Sequence, residues 1–423
     1  MIELIDLTLV LCVSLGFVLG IISGLIPGLH INNFAVMLLA VSPQLMAQGL
    51  SPYHMASIIL AASISQTFFD IIPAVFVGAP DSDTVLAVLP GHRLLQEGRG
   101  VEAVRLSALG SSGSIIVAFL LVVPLSWIFT SCYDYLMKYV GVLLLIVALL
   151  MIKTEMGPQI EGQGSLVHWK YKALAALLFL TSGLLGTFAF SHEDMLASPL
   201  GLEPQVLLPL LSGLFGASFL ILSLATEMEI PVQKETEMKV PLSSLAKSIF
   251  SGSLGGSVVA WIPGVSPSVA TIATRLGAPS SPEEFLVSIA GVNTANALFS
   301  LVALYAIGRP RSGAAAAIEK LMTIDYWIMV QMMVLIVVVA AASYLTVIAT
   351  ARYAAQVISR LNYKMLCAAV LIFLVLMTLG FTGPFGLFIF FLSTVVGLIA
   401  PIAGIHKTHA MGVLMLPLII YYI

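Results

Sequence analysis

The stretch GLIPGLHINN, Gly24–Asn33, interrupts an apolar run that begins at Leu7 and otherwise has the composition of a membrane helix. A proline inside a helix removes a backbone donor and clashes with the preceding turn, which costs about 3 kcal/mol or more. In hydrocarbon no water can satisfy the freed carbonyls, so such a break persists only where protein or a wet cavity provides partners. A single break of this kind is compatible with a simple packing kink, so its meaning depends on the rest of the chain.

The overall composition is that of a multi-pass membrane protein. Of the 423 residues, 59% are hydrophobic and 9% are charged, whereas soluble domains carry about 25% charged residues. We therefore predict an all-α polytopic protein of the plasma membrane, with about 10–12 spans plus re-entrant helices that are too short to cross alone. The net charge of −3 provides no basic surface for nucleic acid.

The Pro-Gly break recurs in the second half of the chain. GFVLGIISGLIPGLH (Gly16–His30) and GSLGGSVVAWIPGVS (Gly252–Ser266) share two glycines and the Ile-Pro-Gly triplet at a constant offset of 236 residues. A second pair of segments, beginning at Ser63 and Asn293, aligns at an offset of 230 and matches Gln66 with Asn296. Two motifs repeated in the same order indicate an internal duplication.

These patterns divide the chain into two transmembrane repeats. We predict a first repeat over residues 1–226, a polar linker over 227–244 that contains IPVQKETEMKVP, and a second repeat with C-terminal helices over 245–423. Paired Gly/Pro interruptions in corresponding positions point to the substrate site of a secondary transporter near the bilayer midplane. Half-helix N-termini there suit an anionic ligand, while unwound carbonyls and carboxylates suit a coupling cation.

The polar residues near the breaks are the candidate site residues. The predicted substrate-binding residues are Pro27, Gly28, His30, Asn32, Asn33, Gln66, Ser82, Pro263, Gly264, Ser266, Ser268, Asn293, Asn296, Arg309, Arg311 and Ser312. The predicted coupling-ion or proton residues are Asp70, Asp81 and Asp83, because ionisable side chains inside the membrane are costly and therefore functional by default.

Structural alternatives exist for several of these residues. Asp70 is also compatible with a helix end that faces the headgroups, and GAPDSD is compatible with a surface loop that caps the next helix. Arg309 and Arg311 suit a bidentate clamp on a carboxylate or phosphate, or alternatively an anchoring loop on the positive side of the membrane. His30 is compatible with a ligand contact, a proton carrier or a satisfied broken turn.

Other polar segments favour structural roles. PGHRLLQEGRGVEAVRLSALGS (Pro90–Ser111) predicts an interfacial helix, a tight Gly98–Gly100 turn and the start of a span, and GIHKTHAMG predicts a short interfacial loop. Three cysteines far apart, Cys12, Cys132 and Cys367, are interpreted as small core residues. The sequence contains no nucleophile–base constellation, phosphate loop or metal motif, so we expect neither an enzyme nor a bound metal or cofactor.

Three stretches resemble the large membrane subunit of tripartite tricarboxylate transporters, the TctA-like permease family. They are GLIPGLHINN, the segment from Gly78 to Ser111 and the segment from Gly256 to Leu298, and the likeness covers most of residues 15–320. The positions that match the family pattern are Gly91, Gly98, Arg99, Glu102, Ala103, Gly110, Asn296 and Ala297. The resemblance implies a permease for an anion such as a tricarboxylate, with a small membrane subunit and an extracytoplasmic binding protein as partners.

We therefore expect a secondary active transporter that moves an organic anion such as a carboxylate by alternating access, coupled to Na+ or H+. The alternative is a translocase of a polyprenyl-phosphate lipid, because IPGVS is similar to motifs of such families and two arginines could hold a phosphate headgroup. The expected contacts are a small anionic substrate or phosphate lipid, membrane lipids and further copies of the chain in a homo-oligomer.

Overall fold

A computed structural model describes most of the chain. It covers residues 7–26, 31–78, 84–155, 165–201, 204–225, 231–234, 238, 240–262, 265–275, 281–358 and 362–423. Over these ranges the regular structure is entirely helical, without strands, which confirms the predicted all-α class.

The described residues of the first half of the chain form nine α-helices. They are α1 (Leu7–Leu25), α2 (Ile31–Ala47), α3 (Pro52–Phe69), α4 (Ile71–Phe76), α5 (Val88–Gln96), α6 (Gly100–Lys153), α7 (Ser165–Ser191), α8 (Leu207–Leu211) and α9 (Ser218–Ala225). A π-helical turn, Ser212–Ala217, joins α8 to α9.

The described residues of the second half form seven α-helices. They are α10 (Leu242–Trp261), α11 (Pro267–Arg275), α12 (Pro282–Ile307), α13 (Gly313–Leu321), α14 (Tyr326–Ile358), α15 (Tyr363–Ala403) and α16 (Gly412–Tyr422). Short 3-10 turns occur at Val85–Ala87, Glu193–Met195 and Lys407–Met411.

Eight helices among the described residues are long and apolar enough to cross a membrane. They are Leu7–Leu25, Pro52–Phe76, Gly100–Tyr133, Trp169–Ser191, Leu207–Ala225, Pro282–Ile307, Tyr326–Val357 and Lys364–Ala403. The chain is thus a multi-pass membrane protein, as its composition predicts. Because this count covers only the described residues, the figure of 10–12 spans stays a prediction.

Two long helices each contain two apolar stretches of the sequence. The apolar segments near 104–130 and 133–152 belong to one helix, α6. The segments near 364–381 and 384–404 belong to α15, which is kinked at Gly383, where φ is 70°, directly before Pro384. A glycine tolerates this left-handed conformation, and the proline cannot donate the next helical hydrogen bond.

Local capping explains where the long helices begin. Ser51 accepts a hydrogen bond from the backbone N–H of His54 before α3, and Ser281 accepts one from that of Glu284 before α12. A proline follows each serine at the first helical position, where its missing N–H is tolerated. Helices α3 and α12, which carry the matching polar segments, therefore both begin with a serine N-cap followed by proline.

Helix α1 packs against α3 through a row of glycines. A Cβ atom at Gly16 would lie 2.9 Å from the Ala61 Cβ, and one at Gly24 would lie 2.8 Å from the Phe69 Cβ. Residues along α1 thus meet residues along α3 in the same order, so the two helices run in the same direction. The intervening α2 must run the other way.

The same arrangement occurs between α10 and α12. A Cβ at Gly252 would lie 2.8 Å from the Ser288 carbonyl oxygen, and one at Gly256 would lie 2.5 Å from the Ala295 Cβ. Because α10 and α12 also run in the same direction, the nine-residue α11 between them turns back toward the side from which α10 entered.

Helices α3 and α12 run in opposite directions. Arg99, at the start of α6, contacts Glu283 in the first turn of α12 at 2.9 Å. The beginning of α12 therefore lies on the side of the membrane that α3 and α4 reach.

The described part of the predicted linker contacts this same side. Gly100 N–H donates to the Gln233 side-chain oxygen at 2.8 Å, and Lys234 N–H donates to the Gly98 carbonyl at 2.9 Å. Gly98 has a φ of 78°, so the turn predicted at Gly98–Gly100 is present and requires a glycine.

Candidate functional site

A cavity of about 720 Å³ lies where the two halves meet. Its polar lining comes from α3, α7, α12 and the segments that precede α11 and α13, and α16 forms a largely apolar wall. The lining residues are Ser63, Gln66, Thr67, Thr187, Phe190, Ser191, Leu207, Val259, Val265, Ser266, Pro267, Asn293, Asn296, Ala297, Arg311, Ser312, Leu414, Pro417, Leu418, Ile420 and Tyr421.

Corresponding positions of α3 and α12 line the cavity. Each helix contributes residues at positions i, i+3 and i+4, which lie on one face of a helix. The matched pairs, at the offset of 230 residues, are Ser63 with Asn293, Gln66 with Asn296 and Thr67 with Ala297. Asn293 and Asn296 lie near the middle of α12, so the cavity lies at about half the length of that span.

The break between α10 and α11 opens onto the cavity. Helix α10 ends at Trp261, and Ser266 accepts a hydrogen bond from the Val269 N–H at 3.3 Å as the first turn of α11 forms. Ser266 and Pro267 both line the cavity. The N-terminus of α11, with its positive dipole end, therefore faces the polar interior.

Arg311 brings a guanidinium to the cavity wall. Helix α12 ends at Ile307, φ is 61° at the following Gly308, and the next residues turn back so that Arg311 donates to the Tyr133 hydroxyl. The guanidinium carbon lies 5.6 Å from the centre of the Tyr133 ring. The buried Nε of Arg311 has no hydrogen-bond partner within the described ranges. Ser312 caps α13 by accepting from the Ala315 N–H at 3.1 Å.

Asp70 lies next to the cavity. This residue follows α3, is 3% exposed, and its Oδ2 accepts a hydrogen bond from the Asn293 side-chain amide at 2.7 Å. The hydroxyl of Thr294 donates to that of Thr67 at 3.0 Å one turn away. Asp70 is thus a buried carboxylate at the contact between the halves, and the interpretation as a headgroup-facing helix end is wrong.

The structure brings six of the predicted binding residues together around the cavity: Gln66, Ser266, Asn293, Asn296, Arg311 and Ser312. Ser268 is fully buried inside α11, and Arg309 is exposed, with its guanidinium carbon 5.6 Å from the centre of the Tyr133 ring. Neither of these two lines the cavity.

The remaining predicted residues lie outside the described part of the structure. They are Pro27, Gly28, His30, Asp81, Ser82, Asp83, Pro263 and Gly264. Asn32 and Asn33 lie in the first turn of α2, and only their backbone is described.

Several lining residues were missed by the sequence reasoning. Thr187 and Ser191 lie four residues apart at the end of α7, and their helical spacing is a signal that could have identified them. Tyr421 lies on α16, and Tyr133, which accepts a hydrogen bond from Arg311 without lining the cavity, lies on α6; neither residue belongs to a motif.

A second polar cluster lies at the turn before α16. His406 Nδ1 and His409 Nε2 both lie within hydrogen-bond distance of the buried Glu155 Oε2, at 2.9 and 2.8 Å. His409 and Lys407 are 2% and 8% exposed. The interpretation of GIHKTHAMG as a simple interfacial loop is therefore incomplete, because a buried acid at the end of α6 holds the turn in place.

The cysteines and metal-binding capacity can be assessed for the described residues. Cys12 and Cys367 are buried, as predicted for core residues, whereas Cys132 is exposed on α6, so its interpretation as a core residue is wrong. Over the described residues, no group of three or more His, Cys, Asp or Glu side chains is arranged to hold a metal ion.

Comparison with known proteins gives a family for the chain. A family model described as the tripartite tricarboxylate transporter TctA family matches residues 10–412. The chain is also similar to a Methanocaldococcus jannaschii protein named "uncharacterized protein MJ1079", with 25% identity over 427 residues that cover 97% of this chain and 98% of the relative. No solved structure matches the chain.

Proposed function

Because the chain belongs to the tripartite tricarboxylate transporter TctA family, a family of membrane transport proteins, we propose that it is a permease for an organic anion such as a carboxylate. The cavity of about 720 Å³ is the proposed substrate site. Its size falls within the ~300–1,000 Å³ range of small-molecule sites.

The observation that carries this proposal is the set of positive groups at the cavity. Arg311 contributes a guanidinium whose buried Nε has no partner among the described residues. The N-termini of α11 and α13, which begin beside the cavity-lining Ser266 and Ser312, add the positive ends of two helix dipoles. A carboxylate suits both features, because guanidinium and helix N-termini bind carboxylate oxygens through charge-assisted hydrogen bonds.

Amides complete the polar lining. Gln66, Asn293 and Asn296 lie on facing helices, and a side-chain amide both donates to a carboxylate and accepts from a hydroxyl. Apolar residues such as Phe190, Val259 and Leu414 fill the rest of the wall. This combination suits a small organic acid with a carbon skeleton rather than a bare inorganic ion.

Asp70 is the proposed site of cation or proton coupling. It is a buried carboxylate at the contact between the halves, bonded to the cavity-lining Asn293. Occupation of Asp70 by Na+ or a proton would change the charge beside the substrate and the orientation of the Asn293 amide. We propose that this contact makes substrate and cation binding interdependent.

The two halves support transport by alternating access. The same glycine packing joins α1 to α3 and α10 to α12, while α3 and α12 run in opposite directions. We infer two inverted repeats, residues 1–226 and 245–423, that rock against each other around the shared cavity.

A second candidate, translocation of a polyprenyl phosphate, is favoured by the α16 wall. Ile420 and Tyr421 line the cavity and are 59% and 79% exposed, so the described parts of the chain do not cover the cavity wall at the end of α16. A lipid carrier needs such lateral access, whereas a solute carrier does not.

The family name also suggests partner subunits. We propose that this permease works with a small membrane subunit and an extracytoplasmic binding protein, and that copies of the chain associate with one another. Co-purification of the native complex tests this part directly.

Uptake into proteoliposomes tests the function. The purified protein is reconstituted, and uptake of labelled citrate and succinate is measured with a Na+ gradient, with a pH gradient and with neither. Arg311→Gln is expected to reduce uptake at least about tenfold, because it removes a charge-assisted hydrogen bond. Arg309→Gln is the matched control, since Arg309 contacts the same Tyr133 ring but does not line the cavity.

Two results would contradict the proposal. Equal uptake by the wild type and both arginine variants would exclude Arg311 from the site. Flip of a labelled polyprenyl phosphate, sensitive to Arg311→Gln and unaccompanied by carboxylate uptake, would instead establish the lipid function.

A further inference from the structure

A second cavity of about 360 Å³ lies at the side of the membrane where α12 begins. It is enclosed by α5, the π-helical turn, the first turn of α12 and the turn before α16. Its lining residues are Leu86, Val88, Leu89, Pro90, Arg93, Phe215, Phe219, Ser281, Pro282, Phe285, His406, Lys407 and Thr408. None of them lines the larger cavity, so the two are separate sites.

Lys407 is the unusual member of this lining. The side chain is buried, and its Nζ donates to the Phe215 carbonyl at 3.1 Å and to the Ser218 hydroxyl at 2.7 Å. Both acceptors are neutral, and within the described ranges Lys407 forms no ion pair with a carboxylate. Buried charges in proteins are normally paired, so this amine lacks the counter-charge expected for its burial.

The other ionisable groups described around the cavity are neutral or have partners other than Lys407. Arg93 lines the cavity, with a side chain that is 69% exposed and a 3.4 Å contact to Glu97. His406 also lines the cavity and bonds the buried Glu155. Glu283 in the first turn of α12 is bound by Arg99 at 2.9 Å, so this acid already has a cation. His92 packs edge-on against Phe219, and burial lowers the pKa of His92 to about 4, which keeps it neutral.

The remaining walls are apolar. Leu86, Phe219 and Phe285 surround the cationic groups, and Leu89 at the edge is 52% exposed. An amphiphile whose anionic group meets Lys407 and whose apolar part meets these side chains would satisfy both kinds of lining. The start of α12 beside Ser281 contributes a positive dipole end in the same place.

We propose that this second cavity binds a phosphate group, carried by an anionic membrane lipid or by a free phosphate ester, through ion pairs with Lys407 and Arg93. The bound phosphate supplies the counter-charge for the buried amine. The ligand would also stabilise the Lys407–Met411 turn, which leads directly into α16, the apolar wall of the transport cavity.

The protonation of Lys407 supports this assignment. Burial lowers the pKa of the Lys407 amine to about 7. A bound anion favours the charged form, so binding near pH 8 is expected to take up a proton. A purely apolar ligand would not have this effect.

The test uses the purified full-length protein in a neutral detergent. Thermal stability is measured with sodium phosphate, with sn-glycerol 3-phosphate, and with phosphatidylglycerol against phosphatidylcholine, each at matched ionic strength in sodium chloride. The phosphate-bearing anions are expected to raise Tm in the wild type. Lys407→Met and Arg93→Gln are each expected to raise, at least about tenfold, the ligand concentration that is needed for the same increase in Tm.

Three variants keep the test specific. Lys407→Met removes an unpaired buried charge and keeps the volume, so it is expected to fold, and Arg93→Gln changes an exposed side chain. Lys247→Gln, an exposed cation on α10 that lines neither cavity, should respond like the wild type. Arg311→Gln should also keep the phosphate response, which separates this site from the transport cavity.

Each outcome decides the proposal. Stabilisation by phosphatidylglycerol alone assigns a lipid headgroup. Stabilisation by sodium phosphate, sn-glycerol 3-phosphate and phosphatidylglycerol alike assigns the phosphate group itself. The absence of any phosphate-dependent change in the wild type would overturn the proposal. An undiminished response in both Lys407→Met and Arg93→Gln, or a response lost only in Arg311→Gln, would overturn it as well.

Discussion

The side-chain amide of Asn293 donates a hydrogen bond to the Asp70 carboxylate at 2.7 Å and thereby joins the middle of α12 to the end of α3. Both residues are 3% exposed. Asn293 lines the proposed transport cavity and Asp70 lies directly behind it. This single contact connects the proposed substrate site to the proposed coupling site and crosses from one half of the chain to the other.

Asn293→Ala is expected to destabilise the protein by about 1–3 kcal/mol, because a buried carboxylate loses a donor. Asp70→Asn should retain most of the stability, since an amide oxygen can still accept from Asn293, but should lose the dependence of uptake on the cation gradient. Thermal denaturation and gradient-driven uptake measure the two effects. Thr294→Val removes the neighbouring inter-half hydrogen bond without changing the cavity lining, and is the matched control. Unchanged ion dependence in Asp70→Asn would contradict the coupling role.

The glycine contacts of the two helix pairs are expected to be intolerant of a methyl group. A Cβ at Gly20 would lie 2.9 Å from the Ala62 Cα, and one at Gly256 would lie 2.6 Å from the Val292 carbonyl oxygen. Gly20→Ala and Gly256→Ala should therefore each destabilise the protein by about 1–3 kcal/mol through overpacking.

Gly380→Ala is the control for these two variants. The nearest atom to its Cβ would be the end of the Leu200 side chain at 3.2 Å, which can move. Thermal unfolding in detergent should show at most a small change for Gly380→Ala. Equal stability of all three variants would mean that α1 and α10 do not pack as closely as described.

Arg99 is expected to hold together the side of the protein where α6 and α12 begin. Its guanidinium contacts Glu102 at 2.7 Å and Glu283 at 2.9 Å, and the Glu102 side chain is 0% exposed. Arg99→Gln should cost about 3–5 kcal/mol, because it removes the cation of a buried pair. The exposed Arg93–Glu97 pair provides the comparison, and Arg93→Gln should change the free energy of unfolding by less than about 1 kcal/mol.

The outcome of the Arg99 experiment also reports on the arrangement of the halves. A stability loss in Arg99→Gln that Glu283→Gln reproduces only in part would agree with the two contacts. Similar, small effects of Arg99→Gln and Arg93→Gln would show that the contact between α6 and α12 contributes little.

Lys407 is expected to make stability depend on pH above neutrality. Its folded pKa of about 7 lies below the ~10.4 of an unfolded lysine, so between these values the unfolded chain binds more protons. The free energy of unfolding should therefore rise as pH increases from about 7 to 10. The contribution of the neutral Lys407 amine to stability is lost again as pH falls through the folded pKa.

His406 contributes with the opposite sign. The Glu155 hydrogen bond raises the pKa of His406, so its stabilising part is present below pH 6.5 and is lost as pH rises above the raised pKa. Denaturation of the wild type and Lys407→Met between pH 8 and 10 isolates the lysine, because the difference between the two curves cancels the other groups. Parallel curves over that window would contradict the burial of a titrating amine.

The sequence predicted part of the candidate site because its signals are local. Gln66 on α3 and the pair Asn293 and Asn296 on α12 are polar residues in apolar helices. The offset of 230 residues, which pairs Gln66 with Asn296, is visible without a structure. Ser266 follows a Pro-Gly break, which marks a helix start. By contrast, Arg309 and Arg311 are indistinguishable in the sequence, and only the turn after Gly308 places Arg311 at the cavity and Arg309 outside it.

Other features depend on contacts between distant segments. Glu155, at the end of α6, meets His406 and His409 more than 250 positions later, and Lys407 meets the carbonyl of Phe215 in the π-helical turn. Thr187 and Tyr421 reach the cavity from helices that carry no repeat motif.

The sequence by itself determined that the chain is an all-helical membrane protein and which polar faces recur, because hydropathy and helical periodicity act over a few neighbouring turns. The tertiary structure decided which of these faces meet, which arginine lines the cavity and which lysine is buried without a carboxylate. Those outcomes depend on how helices far apart in the chain pack, where close approach and burial set the energy of each contact.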